Sequence, residues 1–566
     1  MLLTLVAWLY ISFSCAVWGS IIFFTLKRLV RETSAEVING CLTCFLGFIG
    51  ITVFGSILSL FMALGGWLFQ IIFFLITIAL LFLKPTRISL ATLKKQFYDL
   101  HPSVILLLLC CIVLLLVMST WTINHPDTLT YHAQTIQWIE KYKVIPGLAN
   151  LHVRYGLQSP WFISCAIFST NFINGKALTF INSTILLWYF IFIIQQLNRN
   201  FFSNSNKLAG VMWIILVAIS LASYTQVRLT ATSASPDFIA AILTWAVLFL
   251  IIENKTSINQ DLRWLLVVLF SVFAITLKLS VLPLGLAALY AVYKSARRIR
   301  FLTVSCIIAI LIAVPHISRN LLTSGYAFFP SPFPDVVNVD WKVSKAQAQI
   351  ERGYITAYAR IPVSHTKADI NNVIAKQYDQ WVPSWWKRQS VPDKIVLLLT
   401  ALAFFVSLLN IRRIIHSDAA IKAGLVISFI GCLFWFTQAP DPRFGFGFLI
   451  GFSATLASAL LIQPGGAGLK LLSKKFLVGC TLLLSIAIAS YDFYRFKNFF
   501  GIEQIIQPMG VKRVTVQTIQ CNGLDFRVPG PENACGASDV PCIYENCKSF
   551  IPRGNKITDG FKSANQ

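Results

Sequence analysis

Within eight residues, His125-Pro126-Asp127-Thr128-Leu129-Thr130-Tyr131-His132 brings together an acid, a phenol and two imidazoles, directly after a long apolar stretch. A carboxylate beside low-dielectric surroundings holds an altered acidity and can serve as a base or an electrostatic stabiliser. Here that carboxylate is Asp127, and His132 and His125 are placed to assist it or to ligate a metal. No cofactor is assigned, and a divalent metal is left open. The bland alternative is that Asp127 caps a following helix and His132 merely sits at an interface. A second acid, Asp237, opens another apolar stretch within Ser-Pro-Asp, a good helix start whose macrodipole favours an acid.

Three cations could serve the same chemistry. Lys278 lies in Ile-Thr-Leu-Lys-Leu-Ser between two apolar runs, where a lysine is costly unless it snorkels or meets an anion. Arg319 stands in Pro315-His316-Ile317-Ser318-Arg319-Asn320, and Arg443 in Ala439-Pro440-Asp441-Pro442-Arg443-Phe444. An arginine forks onto phosphate oxygens, so both are candidate phosphate ligands alongside Lys278. Asp441 is read as shaping its turn.

The elements that must position these residues are membrane helices. The chain has 566 residues, 56% hydrophobic and only 12% charged, against about 25% charged in soluble domains. Runs long enough to span a bilayer recur from end to end. The expected spans are 1–25, 38–62, 66–83, 103–122, 176–196, 208–224, 237–252, 264–277, 280–294, 301–317, 393–410, 421–438, 444–463 and 476–490, about fourteen in all. The short apolar stretch 160–174 is expected to be half-inserted or peripheral. The net charge of +24 does not indicate nucleic acid, because the basic clusters sit in short loops between apolar runs. They are Lys27/Arg28/Arg31, Lys84/Arg87/Lys94/Lys95, Lys294/Arg297/Arg298/Arg300, Arg412/Arg413 and Lys470/Lys474/Lys475. Basic loops stay cytoplasmic, so both chain ends are expected outside, with Met1 opening the first span rather than a cleaved signal. Thr130–Tyr142 is expected to form an amphipathic helix on the membrane surface. Trp381, Trp385 and Trp386 read as an interfacial anchor.

This alternation divides the chain into N-terminal helices 1–102, a transmembrane module 103–318 with a first outer loop 123–159, a large outer loop 319–392, C-terminal helices 393–490 and an outer tail 491–566. Of the 13 cysteines, nine lie in or beside apolar runs and four, Cys521, Cys535, Cys542 and Cys547, lie in the tail. Four in a short polar segment read as two disulfides and an oxidising compartment. A zinc site is the alternative, but the tail has neither a CxxC pair nor a histidine. The fold class is all-α: a polytopic transmembrane bundle with outer loops and a small disulfide-bonded tail.

The order and sidedness of these motifs over about residues 103–460 resemble the polytopic C-type-fold (GT-C-like) glycosyltransferases that use lipid-phosphate-linked sugars. Asp127 with Tyr131 is similar to the Asp and Tyr of that family's first outer loop. Asp237 is similar to its second acid, and Thr276-Leu277-Lys278 to its helix-ending lysine. Arg319-Asn320 with Gly325 and Pro330, and Arg443-Phe444, also match its patterns. The first three helices, the tail and the two histidines depart from them. The resemblance, strongest to poorly characterised bacterial proteins, implies an integral protein of the bacterial inner (cytoplasmic) membrane with an extracytoplasmic active face. It implies an inverting glycosyltransferase that moves a sugar from a polyprenyl-phosphate carrier to a glycan, lipid or protein acceptor in cell-envelope assembly. Asp127, Tyr131, His132 and Asp237 would be catalytic, and Lys278, Arg319 and Arg443 would bind lipid phosphate. The lipid bilayer and the carrier are the expected partners, with no nucleic acid. A transporter or flippase of a lipid-linked or anionic solute is the alternative. Transporters place ionisable residues near the midplane, whereas here they gather at one boundary.

Overall fold

The computed structural model describes residues 1–32, 39–98, 100–169, 180–202, 224–231, 233–253, 261–295, 298–461, 501–544 and 547–564, with 490 and 494. The expected spans 208–224 and 476–490, apart from their last residues Tyr224 and Ser490, and the basic residues Arg297, Lys470, Lys474 and Lys475, lie outside them.

The chain is mostly helical. In order come α1 (Leu2–Leu29), α2 (Gly40–Leu58), α3 (Trp67–Leu81), α4 (Lys84–Tyr98) and α5 (Pro102–Met118). Then follow α6 (Ala133–Lys141), α7 (Pro160–Ile167), α8 (Ile181–Phe202), α9 (Tyr224–Ala231) and α10 (Asp237–Glu253). Next are α11 (Asp261–Leu277), α12 (Leu284–Lys294), α13 (Arg298–Ser324), α14 (Lys345–Arg360), α15 (Lys367–Ile374) and α16 (Tyr378–Arg388). Last are α17 (Val391–Leu409), α18 (Ala419–Gln438), α19 (Pro442–Leu461) and a five-residue turn α20 (Ile502–Ile506). Among the described residues, six helices are long and apolar enough to cross a bilayer, or seven if α3 and the start of α4, bent by 81° at Leu81–Lys84, count as one span. Pro85 stands in the first turn of α4, where its missing N–H costs no helical bond, so it starts a new helix rather than continuing α3. Of the stretch 160–174, the described residues 160–169 hold the eight-residue α7, about 12 Å long at 1.5 Å per residue and by itself too short to cross, and 170–174 lie outside the described residues.

Small residues set the closest helix contact. A Cβ on Gly47 of α2 would lie 1.8 Å from the Cys15 carbonyl oxygen of α1, and one on Gly19 1.9 Å from that of Thr43. Backbone approach of this kind is how membrane helices associate without a hydrophobic driving force. At the end of α13, Gly325 takes φ +82° and its N–H bonds back to Leu321, a glycine-terminated helix end.

The bundle has two distinct ends. Asp237, Lys278, Gly325 and the Pro440–Arg443 turn lie at one. Lys27, Arg28, Lys294, Arg412 and Arg413 lie one helix length away, at the other ends of α1, α12, α17 and α18.

The tail brings strands into a fold expected to be all-α. β1 (Val516–Cys521) pairs antiparallel with β2 (Leu524–Pro529), and β3 (Phe550–Pro552) with β4 (Phe561–Ser563). Asn522 and Gly523 close the first hairpin with φ of +52° and +79°, as a two-residue primed turn requires. Cys521 pairs with Cys547 and Cys535 with Cys542.

The tail shares a core with the first outer loop. Phe526, Ile543, Phe550 and Phe561 pack with Trp138, Ile145, Leu148 and Tyr155. Two expectations change as a result. Residues Ala133–Glu140 are buried within the protein rather than lying on a membrane surface, because the tail covers their polar side. Trp381 and Trp385 are likewise buried, and the Trp385 indole N–H donates to the Pro440 carbonyl at 2.6 Å, so Trp385 braces a turn rather than anchoring to lipid.

Candidate functional site

Asp127 follows α5 by a few residues and enters a wide π-helical turn, Thr128–His132, in which the Ala133 N–H bonds to the Thr128 carbonyl. Such turns recur at functional sites. The side chain of Asp127 makes no capping bond. It accepts instead from Arg443 Nη1 at 3.0 Å and lies 3.6 Å from Arg154 Nη1. The turn is tied to the second acid through Thr128 Oγ1, which accepts from the Ala234 N–H at 3.3 Å. Ala234 also receives the Trp161 indole N–H, and Ser235 the Asn182 amide, which fixes the segment leading into α10. Asp237 is the first residue of that helix, its backbone N–H donating to Ser235 Oγ.

Lys278 ends α11 in an extended conformation before a turn that leads to α12. Its ammonium donates to Asp237 in a direct ion pair and sits 3.6 Å above the Phe444 ring. Ser159 Oγ fixes the approach by donating to the Leu277 carbonyl at 2.9 Å.

Arg443 begins α19 and links the two acids. Its Nε lies 3.6 Å from Asp237 and 3.3 Å from Asp441, while Nη1 reaches Asp127. That buried Nε completes no hydrogen bond. Asp441 both accepts the Arg443 N–H and faces its guanidinium. The Trp435 indole N–H holds the Asp441 carbonyl at 2.7 Å. The result is a chain of alternating charge, Arg154–Asp127–Arg443–Asp237–Lys278, from five separate segments. Its side chains are 14% to 26% exposed, sheltered yet reachable by a ligand.

Electrostatics follow from this arrangement. Burial alone would raise Asp127, but Arg443, both histidines and Arg154 outweigh it and hold the carboxyl well below the usual range. Burial lowers His132 to about 3 despite the pull of Asp127, so it is neutral at physiological pH. His125 is lowered in the same way, and its ring stacks 6.0 Å from His132. Burial and the nearby Asp127 raise Tyr131, which stays a protonated phenol against the His132 ring. Among the described residues, no three His, Cys, Asp or Glu side chains group to hold a metal.

The structure therefore brings Asp127, Tyr131, His132, Asp237, Lys278 and Arg443 together, but it keeps Arg319 apart. The Arg319 guanidinium is buried and donates to Gln158 Oε1 and Ser59. It braces Gln158–Ser159, and Ser159 holds the carbonyl preceding Lys278.

Sequence reasoning missed Arg154 and its partner Glu351. Arg154 Nε lies 3.5 Å from Glu351, which is buried on α14 and bonded to His365, and the guanidinium sits between the Tyr131 and Tyr354 rings. Glu351 falls on an otherwise polar helix, and nothing in its spacing distinguishes it from a surface acid. An apolar cavity of about 350 Å³ adjoins the Pro440–Arg443 turn, lined by Trp385, Phe404, Phe429, Trp435, Phe436 and Leu449 among others.

No curated protein and no solved structure matches the chain. Residues 1–450 match the profile of a domain of unknown function, DUF8201, a range that holds every member of the charge cluster and stops short of the tail. The chain belongs to the DUF8201 family.

Proposed function

We propose that this protein is a glycosyltransferase that moves a sugar from a polyprenyl-phosphate carrier to an acceptor at the extracytoplasmic face of a bacterial cytoplasmic membrane. The observation that carries this reading is the cluster of two acids and three cations at the end of the bundle away from the basic loops. With about fourteen crossings and both chain ends outside, the positive-inside rule makes that end the outer one.

In this reading Arg443 and Lys278 receive the carrier phosphate. The Nε of Arg443 completes no hydrogen bond within the cluster, and the apolar cavity beside the same turn suits a hydrocarbon chain. The acceptor hydroxyl oxygen attacks the sugar C1, the bond from C1 to the phosphate oxygen breaks, and the lipid phosphate leaves with the electron pair. The hydroxyl proton passes to Asp127. While Arg443 pairs with it, Asp127 is a weak base. As Arg443 turns to the phosphate, the carboxylate loses its nearest cation and gains basicity, so donor binding switches on the base. Asp237 keeps Lys278 in place, neutral His132 and Tyr131 line the acceptor side, and Arg319 acts as a brace rather than a phosphate ligand.

The test is release of polyprenyl phosphate, followed by mass spectrometry, from purified protein in lipid vesicles supplied with polyprenyl-phosphate sugars and envelope lipid acceptors. Release by the wild type and loss in Asp127→Asn supports the reading. Equal release by the variant refutes it.

A further inference from the structure

We infer that the C-terminal disulfide loop, residues 535–544, is a clamp that holds the Asp127 turn in its ion-paired position, with Tyr544 as its positioning residue. The inference rests on the Asp127 turn being the working site.

The contacts run along both sides of Asp127. Before it, the Met509 N–H donates to the Thr120 carbonyl, and Ile123 exchanges backbone bonds with Gly510 and Lys512. After it, the Gly536 N–H donates to the Leu129 carbonyl at 2.7 Å and Tyr544 Oη to the Thr130 carbonyl at 2.9 Å. Both carbonyls belong to the π-helical turn itself. The Tyr544 hydroxyl in turn accepts from the Cys535 N–H, so a single oxygen couples the disulfide to the turn. Further along, Gln134 donates to the Gly536 and Ser538 carbonyls, Gln137 to that of Ala537, and Lys141 pairs with Asp539. From the opposite side, Tyr155 Oη donates to the Cys542 carbonyl, and the Tyr544 ring lies 4.6 Å from His152. Tyr155 and His152 flank Arg154, the second cation on Asp127.

One short covalent loop thus grips the turn that carries Asp127 and the segment that carries Arg154. Its closure by Cys535–Cys542, only seven residues apart in sequence, limits the loop's freedom and makes its donors available together. The family match ends at 450, so this clamp lies wholly outside the matched region although every charge it positions lies inside it. Asp237, Lys278 and Arg443 sit at the ends of apolar helices, while the angle at which Asp127 meets them depends on a separate polar appendage.

The experiment uses full-length protein in detergent and reads geometry directly. Hydrogen–deuterium exchange is followed in residues 123–141, with α10 and α13 as references, in wild type, in Tyr544→Phe and in Cys535→Ser with Cys542→Ser. Tyr544→Phe removes one hydroxyl and should speed exchange in 128–134 by about three- to tenfold, the range that loss of one hydrogen bond gives. The double serine variant should do at least as much. The references and the melting temperature should stay unchanged in Tyr544→Phe.

A second readout is carbodiimide coupling at Asp127, mapped by mass spectrometry against pH. Asp127 faces Arg443, Arg154, His125, His132 and Asp237, and its release moves the coupling midpoint upward toward about 3.9, about tenfold more coupling at pH 5 for each unit gained. Unchanged exchange and coupling in both variants overturn the clamp. So does loosening spread equally over α10 and α13, which marks a merely structural tail. Should the serine variant fail to fold, Tyr544→Phe decides alone. Neither readout involves sugar transfer, so the clamp and the proposed activity stand or fall separately.

Discussion

A carboxylate pinned between two guanidinium groups makes Asp127 the residue on which the charge chain turns. Asn keeps its size but not its charge, and the side chain caps nothing, so Asp127→Asn should leave folding intact. It should lower activity by at least about 10²-fold, the usual worth of a positioned base. Vesicle transfer assays beside melting curves check this, and equal loss of both would show a structural role. His132 gives a pH prediction. Its native value, about 3, lies below the free value of about 6.5, so the unfolded chain takes up the proton first. Its contribution to stability is complete above about pH 6.5 and is lost as pH falls toward 3. Asp127 adds a loss as pH falls through the usual carboxylate range and below it. The melting temperature should therefore decline from pH 6.5 to 4.5 in wild type and decline less in His132→Gln. An equal slope in the two proteins would sink the assignment.

At the scale of elements, two devices hold the site in place. The glycine crossing of α1 and α2 lets the N-terminal pair approach at backbone contact. Gly47→Val puts side-chain atoms where the Cys15 carbonyl stands and should cost about 1–3 kcal/mol or more. Fluorescence-detected size exclusion after heating should show earlier loss of the folded peak than in wild type, while Gly66→Ala, which meets nothing within 4 Å, should not. The second device is the pair of indoles, Trp385 and Trp435, that hold consecutive carbonyls of the Pro440–Asp441 turn. Trp435→Phe keeps the ring contacts but drops the bond to Asp441. It should weaken phosphate-dependent steps through Arg443 without unfolding the bundle, read as a raised KM for donor with a smaller change in kcat.

For the whole molecule, the defining feature is separation: ionisable side chains converge at one end of the bundle and basic loops mark the other. Labelling by a membrane-impermeant thiol reagent tests which end faces out. Ser364→Cys, exposed near α15, should react in intact cells, and His416→Cys, between α17 and α18, only after the membrane is opened. The reverse pattern would invert the topology and place the charge cluster in the cytoplasm.

The helices were legible because a spanning run must be apolar along its whole length, a property local to the sequence; each expected span on described residues falls on a helix, and among the described residues six or seven are long and apolar enough to cross a bilayer. The two tail disulfides were legible from their number and setting, although their pairing was not. The Asn522-Gly523 dipeptide between Cys521 and Leu524 is a local hairpin signal, set in a tail expected to carry no strands. Most of the charged residues were legible too, since a charge beside an apolar run is costly and stands out. Their grouping was not. Asp127 and Arg443 meet across 316 positions of chain, and Arg319, marked by the same local cost, is satisfied instead by neutral Gln158 and Ser59. Glu351 and Tyr544 lie in polar segments where a charge or hydroxyl carries no local cost and so leaves no mark. Sequence by itself determined which residues resist their surroundings, because that cost is paid locally. Only the tertiary structure decided which of them relieve one another, because ion pairs and clamps depend on distance across the fold.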